Sequence, residues 1–526
     1  MLDKRDTRPE RNTKPVSFGF KAIFLNTFSG VLVVALNTVL QFLNRTFFIH
    51  FLGSTFLGYN GLFTNVLGTL SLAELGIGTA IIYSLYAPLQ SRDEILIIRL
   101  MHLFKKIYQI IGISVLILGV AIFPFVNQQI QGQPTTMLEI RIVYFFFLLN
   151  SVSGYFFTYK RSLLDADQKN YKNQLNLLVF NTLSSLCQML TLFLLKSFIA
   201  YAAVSVFFTV ISNIAISFQV DKEYPYINKQ ISNYHLDPRT VSSIKKLTIG
   251  NFSNKVGTIT AYSTDNILIS MFVGIVQVGL YSNYSLIVAT LQSLVSRLFS
   301  GLTSTIGLLK LDKSKSDFQI FKKIHFVNVV IALYIFSGLF MLINPFIAAW
   351  LGKKFLLSDA IIFLISFNLF LDVYRKTPLT FIDAYGLAWN QRWKSIIESA
   401  LNLAMSFGLA FFFHLGIFGI LLGTTFSVVV FVVWYEPYIV LKYGLGIKLK
   451  AILSSTIRDV IGVLFQFIIL YLCKSTFVYK GLDDFLLYTT IAFFVPTVVC
   501  FLIFFRTEEY GYFAKICVSY LRRIHD

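Results

Sequence analysis

Residues 51–61 read FLGSTFLGYNG, and residues 272–282 read FVGIVQVGLYS. Gly53 aligns with Gly274 and Gly58 with Gly279, both at an offset of 221. The correspondence continues down the chain. Asp165-Ala166 matches Asp383-Ala384 at an offset of 218, and the polar loops that follow, DQKNYKNQLN and YGLAWNQRWK, share a basic character. The apolar segments SFIAYAAVSV and GIFGILLGTT then align at an offset of 219. One such match is expected by chance in an apolar chain. Ordered matches held at nearly one offset over about 160 residues indicate a duplication.

The medium in which the repeat folds follows from composition. The chain has 526 residues, 56% hydrophobic and only 13% charged, with a mean hydropathy of +0.69. A soluble domain carries about 25% charged residues. Four cysteines and no CxxC spacing exclude a disulfide scaffold. The chain reads as an all-α polytopic membrane protein. Hydropathy places fourteen spans at 19–49, 56–87, 104–126, 138–159, 173–195, 197–219, 247–273, 277–309, 324–349, 356–375, 393–413, 415–441, 452–473 and 485–505. At ~20 residues each they use roughly 290 residues, which leaves no room for a soluble domain of ~100 residues. The first, second, seventh and eighth spans are long enough to imply tilt, bending or protrusion into water.

The net charge of +19 is a topology signal here rather than a nucleic-acid footprint. Lys4, Arg5, Arg8, Arg11 and Lys14 precede an apolar run that is too long for a signal peptide. Arg45, Lys255 and Arg297 fall inside spans, and six more basic residues fall on the outer side, which leaves 36 of 45 toward the inner side. The skew puts both termini in the cytoplasm, with the chain in the plasma membrane. The expected organisation is a basic tail (1–18), an N-lobe of six spans (19–220), an inter-lobe loop (221–246), a C-lobe of six spans (247–441), and spans 13 and 14 with a cytoplasmic C-terminus (442–526). An even number of spans per unit makes the repeats parallel. Two such lobes suit a transporter with its site between them.

Polar residues at membrane depth mark that site, since ionisable groups there cost at least ~2.5 kcal/mol each on insertion scales. Span 1 carries Asn26, Asn37, Gln41, Asn44 and Arg45 on one face about 100° wide. Span 7 carries Asn251, Asn254, Lys255, Thr258, Tyr262, Asp265 and Asn266 on one face about 120° wide. The repeat sets Gln41 opposite Tyr262 and Asn44 opposite Asp265. The two stripes therefore predict two walls of one cavity. Span 8 adds Gln292, Ser296, Arg297, Ser300 and Ser304, and span 2 adds Asn60, Asn65, Thr69 and Glu74. Arg45, Lys255 and Arg297 outnumber Glu74 and Asp265, so an anionic ligand group such as a diphosphate is expected at the three bases. Glu74 and Asp265 are candidates for ion coupling, or counter-ions to those bases. The competing reading has Arg45 and Lys255 snorkelling to the interfaces.

Residues 72–88, LAELGIGTAIIYSLYAP, and the paired LG…GYNG and VG…GLYSNY segments resemble bacterial polysaccharide flippases. These belong to the multidrug/oligosaccharidyl-lipid/polysaccharide exporter superfamily, with the MATE multidrug exporters and the lipid II flippases. The resemblance covers roughly residues 20–440. It implies a V-shaped pair of six-helix lobes, alternating access, and translocation of undecaprenyl-diphosphate-linked oligosaccharide. The implied partners are that lipid-linked substrate, membrane lipids, a polysaccharide polymerase and glycosyltransferases. One chain holds both lobes, so a monomer suffices.

Other functions have less support in the residues. Asp165-Ala166-Asp167 matches the metal-binding DxD of glycosyltransferases only formally. Walker and HExxH motifs and zinc-type Cys/His spacing are absent, so neither a cofactor nor a metal is expected. A MATE-like ion-coupled drug antiporter and a lipid II flippase remain the alternatives. The cationic cavity disfavours the antiporter, whose substrates are often organic cations.

Overall fold

The computed structural model describes residues 20–70, 77–128, 130, 134–167, 169–231, 234–238, 240–242, 244–245, 248, 264–309, 317–477, 482–513 and 515. Its side-chain description begins at Leu36. Among the described residues every regular element is a helix. In chain order they are α1 (Phe20–Leu70), α2 (Ile77–Ser91), α3 (Glu94–Gln128), α4 (Pro134–Ala166), α5 (Asn170–Leu195) and α6 (Phe198–Glu223). After the inter-lobe segment come α7 (264–272), α8 (Ile275–Leu309), α9 (Asp317–Leu351), α10 (Asp359–Tyr374) and α11 (Lys376–Tyr385). The chain closes with α12 (Lys394–Phe411), α13 (Gly416–Ser427), α14 (Val433–Ile439), α15 (Lys450–Thr476) and α16 (Leu482–Phe504). Eight described segments are long and apolar enough to cross a membrane. The protein is an all-α polytopic membrane protein.

The two quoted stretches form matching corners. Gly53 breaks α1 with φ 87° and ψ 179°, and Gly274 separates α7 from α8 with φ 115°. Only glycine takes this backbone at no steric cost, because a Cβ would meet the neighbouring carbonyl. The expected loop between spans 1 and 2 is therefore a single-residue corner, not the six residues left between them by hydropathy.

Beyond the corners α1 and α8 cross at backbone contact. A Cβ on Gly58 would lie 2.1 Å from the Ile275 carbonyl oxygen, and one on Gly279 would lie 2.4 Å from that of Ser54. The two contacts exchange under the offset of 221, since 54 maps to 275 and 58 to 279. The duplication seen in sequence is thus a local two-fold relation in space, built on small residues that let helix backbones approach closely.

Around this crossing α1 packs on α5 and α4 on α6, while α9 packs on α10 and α12 on α13. Spans 13 and 14, α15 and α16, pack on α9. A run of buried and half-buried aromatics fills the second group, with Phe336 stacked on Phe340 and edge-on to Phe363, Phe367 and Phe370. Aromatic pairs prefer such offset and edge-to-face geometries. α3 and α9 each run to 35 residues, about 52 Å at 1.5 Å per residue. Each begins several residues before the span that hydropathy marks, because the charged residues that end a hydropathic window are good helix formers.

Candidate functional site at the crossing of the two repeats

Arg45 lies two turns before the Gly53 corner, and it reaches across to the other repeat. Its Nε donates to Asn283 Oδ1 at 2.9 Å and its Nη2 to Ser282 Oγ at 2.5 Å. Both partners are themselves tied to the Gly279 carbonyl, from Ser282 Oγ at 2.8 Å and Asn283 Nδ2 at 3.2 Å. The close approach allowed by Gly279 and the docking of Arg45 are therefore one local arrangement. Ser282 and Asn283 are neutral acceptors that orient the guanidinium without cancelling its charge. Among the described residues no carboxylate pairs with Arg45. A second link lies on the adjacent residue, where Trp350 Nε1 donates to Thr46 Oγ1 at 2.6 Å and the Trp350 ring meets Phe42 at 4.7 Å.

The other expected site residues divide. Asn37 and Gln41 precede Arg45 at intervals of four and continue its stripe, Asn37 half-buried and Gln41 exposed. Asn44 does not line that stripe. It is buried and donates to Gln188 Oε1 on α5 at 2.7 Å, so it points into its own lobe. Its repeat partner Asp265 behaves alike: it is buried and accepts from Thr424 Oγ1 on α13 at 3.4 Å, and Thr424 in turn accepts from Asn402 at 2.9 Å. The expectation of cavity walls at Asn44 and Asp265 is corrected accordingly. Each sits about 100° around its helix from the next residue, which is enough to turn it inward. Asp265 also has no basic partner among the described residues, so it is not seen there as a counter-ion. Asn266 is buried, and its Oδ1 has no protein partner among the described residues. Glu74, Asn251, Asn254, Lys255, Thr258 and Tyr262 lie outside the described residues, as does the side chain of Arg297.

Two further polar clusters lie outside the stripes that the sequence marks. In the first, Arg161 on α4 donates to Asn176 Oδ1 on α5 at 3.1 Å and to Asn213 Oδ1 on α6 at 3.0 Å. In the second, Arg375 after α10 binds Glu436 on α14 at 2.8 Å and Glu398 on α12 at 3.2 Å, and Lys394 reaches Glu436 at 2.7 Å. Both fix a fourth-span arginine against the fifth and sixth spans of its repeat, with amides in one lobe and carboxylates in the other. A signal was available: Glu436 stands in the apolar run 416–445, where a carboxylate demands a cation. Ser282 and Asn283 stand inside the GLYSNY segment that carries the family resemblance, and nothing in its spacing marks them as partners of Arg45.

The DxD carboxylates are engaged by protein groups. Asp165 accepts from Asn173 at 2.7 Å, while Asp167 accepts from Tyr224 Oη and pairs with Lys169, both at 2.6 Å. Burial opposes the charge on Lys169, but its bonds to Asp167 and Glu223 outweigh that and hold the ammonium above the usual lysine range. Among the described residues no group of three metal-ligating side chains forms.

These features define an all-helical membrane fold, two related bundles meeting at a glycine crossing. Solved structures of this kind match it along most of its length. A lipid II flippase, MurJ, in an inward closed conformation superposes with a TM-score of 0.63 at 13% identity, covering 90% of this chain and 98% of that one. An inward-facing MATE multidrug resistance transporter of the MOP superfamily gives 0.59 at 12% identity, over 78% of this chain and 98% of that one. A MOP superfamily transporter from Pyrococcus furiosus, described as having a binding pocket of reverse polarity, gives 0.56 at 14% identity, over 80% and 95%. No protein-family model matches the chain, and no curated protein matches it by sequence.

Proposed function

We propose that this chain flips polyprenyl-diphosphate-linked oligosaccharide repeat units, of the undecaprenyl type, across the plasma membrane for cell-surface polysaccharide synthesis. The observation that carries the reading is Arg45, a cation set between the repeats by neutral hydrogen-bond acceptors. A diphosphate cannot enter hydrocarbon with its charge unpaired. An arginine presented on the path between two lobes supplies a bidentate partner for it. Lys255 and Arg297 complete the proposed clamp, with Asn37, Gln41, Asn251, Asn254, Thr258, Tyr262 and Asn266 toward the sugars. The polyprenyl chain stays in lipid throughout.

The basic inner loops orient the protein with both termini in the cytoplasm. The Gly53 and Gly274 corners then lie outside, and Arg45 with Ser282 and Asn283 closes the outer end. Opening that closure while closing the inner end moves the clamp from one face to the other. Net flux requires consumption of the product outside, or coupling to an ion. The second reading, an ion-coupled drug antiporter, is favoured by two observations: the fold is shared with MATE transporters, and a carboxylate, Asp265, is buried in the second lobe.

The test is made in a strain lacking the gene, by extracting lipid-linked oligosaccharides and locating them across the membrane. Complete units should accumulate on the cytoplasmic face, and the intact gene should clear them. Arg45→Ala and Arg297→Ala should fail to clear them while remaining in the membrane. Unchanged lipid-linked sugars with normal surface polymer would overturn the proposal in favour of the antiporter.

A further inference from the structure

Away from the repeat crossing, the first residues of α3 and the inter-lobe segment border two adjoining open cavities. Their shared wall is His102 of α3 stacked on Tyr234 of the inter-lobe segment, ring centroids 4.1 Å apart and 28° from parallel. The larger, about 430 Å³, is bordered by Lys106, His235 and Val241; the smaller, about 170 Å³, by Lys105, Lys160 and Lys229. Lys160 is spent, since it binds Asp221 at 2.6 Å and Ser217 at 2.8 Å. Lys229 faces Glu94 only at 3.8 Å, with both side chains more than half exposed. Such a surface pair contributes little and is easily displaced. Lys105 and Lys106 are exposed and have no carboxylate partner among the described residues. Lys105 and Lys106 thus put one uncompensated ammonium group at each cavity, on either side of the His102–Tyr234 wall, and make this end of α3 a surface for phosphate oxygens.

The surroundings say what carries the phosphate. Leu103, Lys106, Ile110, Ile113 and Ile117 recur at three- and four-residue steps, so they lie along one face of α3. Ile110, Ile113 and Ile117 are 65%, 51% and 61% exposed. From Lys106 to Ile117 the helix rises about 16 Å, close to half of a hydrocarbon core ~30 Å thick. The stripe leads from the phosphate pocket through one leaflet, and exposed Val120, Ala121 and Pro124 continue the same face beyond it. A soluble phosphate compound has no use for such a stripe, whereas a lipid acyl chain would lie along it.

We infer that the N-terminal end of α3 and the inter-lobe segment bind one anionic phospholipid, headgroup phosphate at Lys105 and Lys106 and acyl chain along Ile110–Ile117. With the orientation proposed above, this lipid belongs to the cytoplasmic leaflet. Its binding would hold the segment that joins the two repeats against the first of them. The site needs no transport activity, so it stands or falls apart from the flippase reading.

The experiment uses the full-length protein in nanodiscs of phosphatidylcholine, with and without phosphatidylglycerol. It reads lipid retention by native mass spectrometry and hydrogen exchange over 225–241. Phosphatidylglycerol should be retained and should slow exchange in that segment. The exposed double change Lys105→Gln/Lys106→Gln should weaken retention roughly 30-fold, as expected for losing two lysines beside an anionic surface, and should abolish the protection. The charge-matched change Lys322→Gln/Lys323→Gln, on α9, should leave both unaltered. Equal losses in the two double variants would reduce the effect to general surface charge and overturn the site. Displacement of phosphatidylglycerol by inorganic pyrophosphate, with the same exchange protection, would overturn the lipid in favour of a soluble phosphate ligand.

Discussion

Gly58 and Gly279 have no room for a methyl group, because each faces a backbone carbonyl of the other repeat rather than a side chain that could turn away. Gly58→Ala or Gly279→Ala must push α1 and α8 apart, breaking the Arg45 bonds that depend on the crossing. Each should lower the melting temperature of the purified protein by several degrees, in the range of overpacking costs of ~1–3 kcal/mol. The double variant should cost less than the sum, since both relieve one contact. Gly68→Ala is the control: nothing lies within 4 Å of its added Cβ, and alanine in a helix interior should be neutral or stabilising. Among charged residues, Arg375→Ala leaves fully buried Glu436 with Lys394 as its remaining cation and should destabilise by ~3–5 kcal/mol. Glu436→Gln keeps an acceptor and should cost less in the same unfolding experiment. At this scale the glycines were legible in sequence because a repeat offset needs no knowledge of neighbours. Asn44 and Arg45 were not separable, because a helical face about 100° wide contains both. Only packing decides that one turns to α5 and the other crosses to α8.

The helices themselves were legible as apolar runs, with ends set by chemistry that hydropathy ignores. Glu94 and Arg99 lie in the part of α3 that precedes the span at 104–126, and Lys322 and Lys323 extend α9 likewise. The turn between α4 and α5 is held differently, by Lys169 bridging Asp167 and Glu223. The raised pKa of Lys169 fixes the sign of its pH dependence. Its contribution is fully present below the unfolded lysine value of ~10.4 and is lost only as pH rises through the higher folded value. The difference in melting temperature between the wild type and Lys169→Met should therefore stay constant from about pH 6 to 9. A difference that shrank within that interval would show that Lys169 does not carry the bridge.

For the whole molecule, the described contacts between repeats gather at the corner end of α1 and α8. There a glycine crossing, an arginine bridge and the Thr46–Trp350 bond all join elements distant in sequence. Contacts that exchange under the repeat relation suit a joint between two related bodies, since each body offers the same surface to the other. The alternating access proposed above requires part of this joint to open once per cycle, and a ligand can drive that only through its different affinity for the two states. Thr46→Cys with Trp350→Cys, in a background without the four native cysteines, puts two thiols across the contact that the Thr46–Trp350 hydrogen bond now makes, separated by the space the indole vacates. A short cleavable bis-thiol reagent should join them, and the joined protein should fail to clear lipid-linked oligosaccharide from the cytoplasmic face. Cleaving the reagent should restore clearance, and neither single cysteine should respond. Full activity in the joined protein would mean that this end stays closed throughout the cycle, and the moving joint would then have to be sought at the opposite end of α1 and α8.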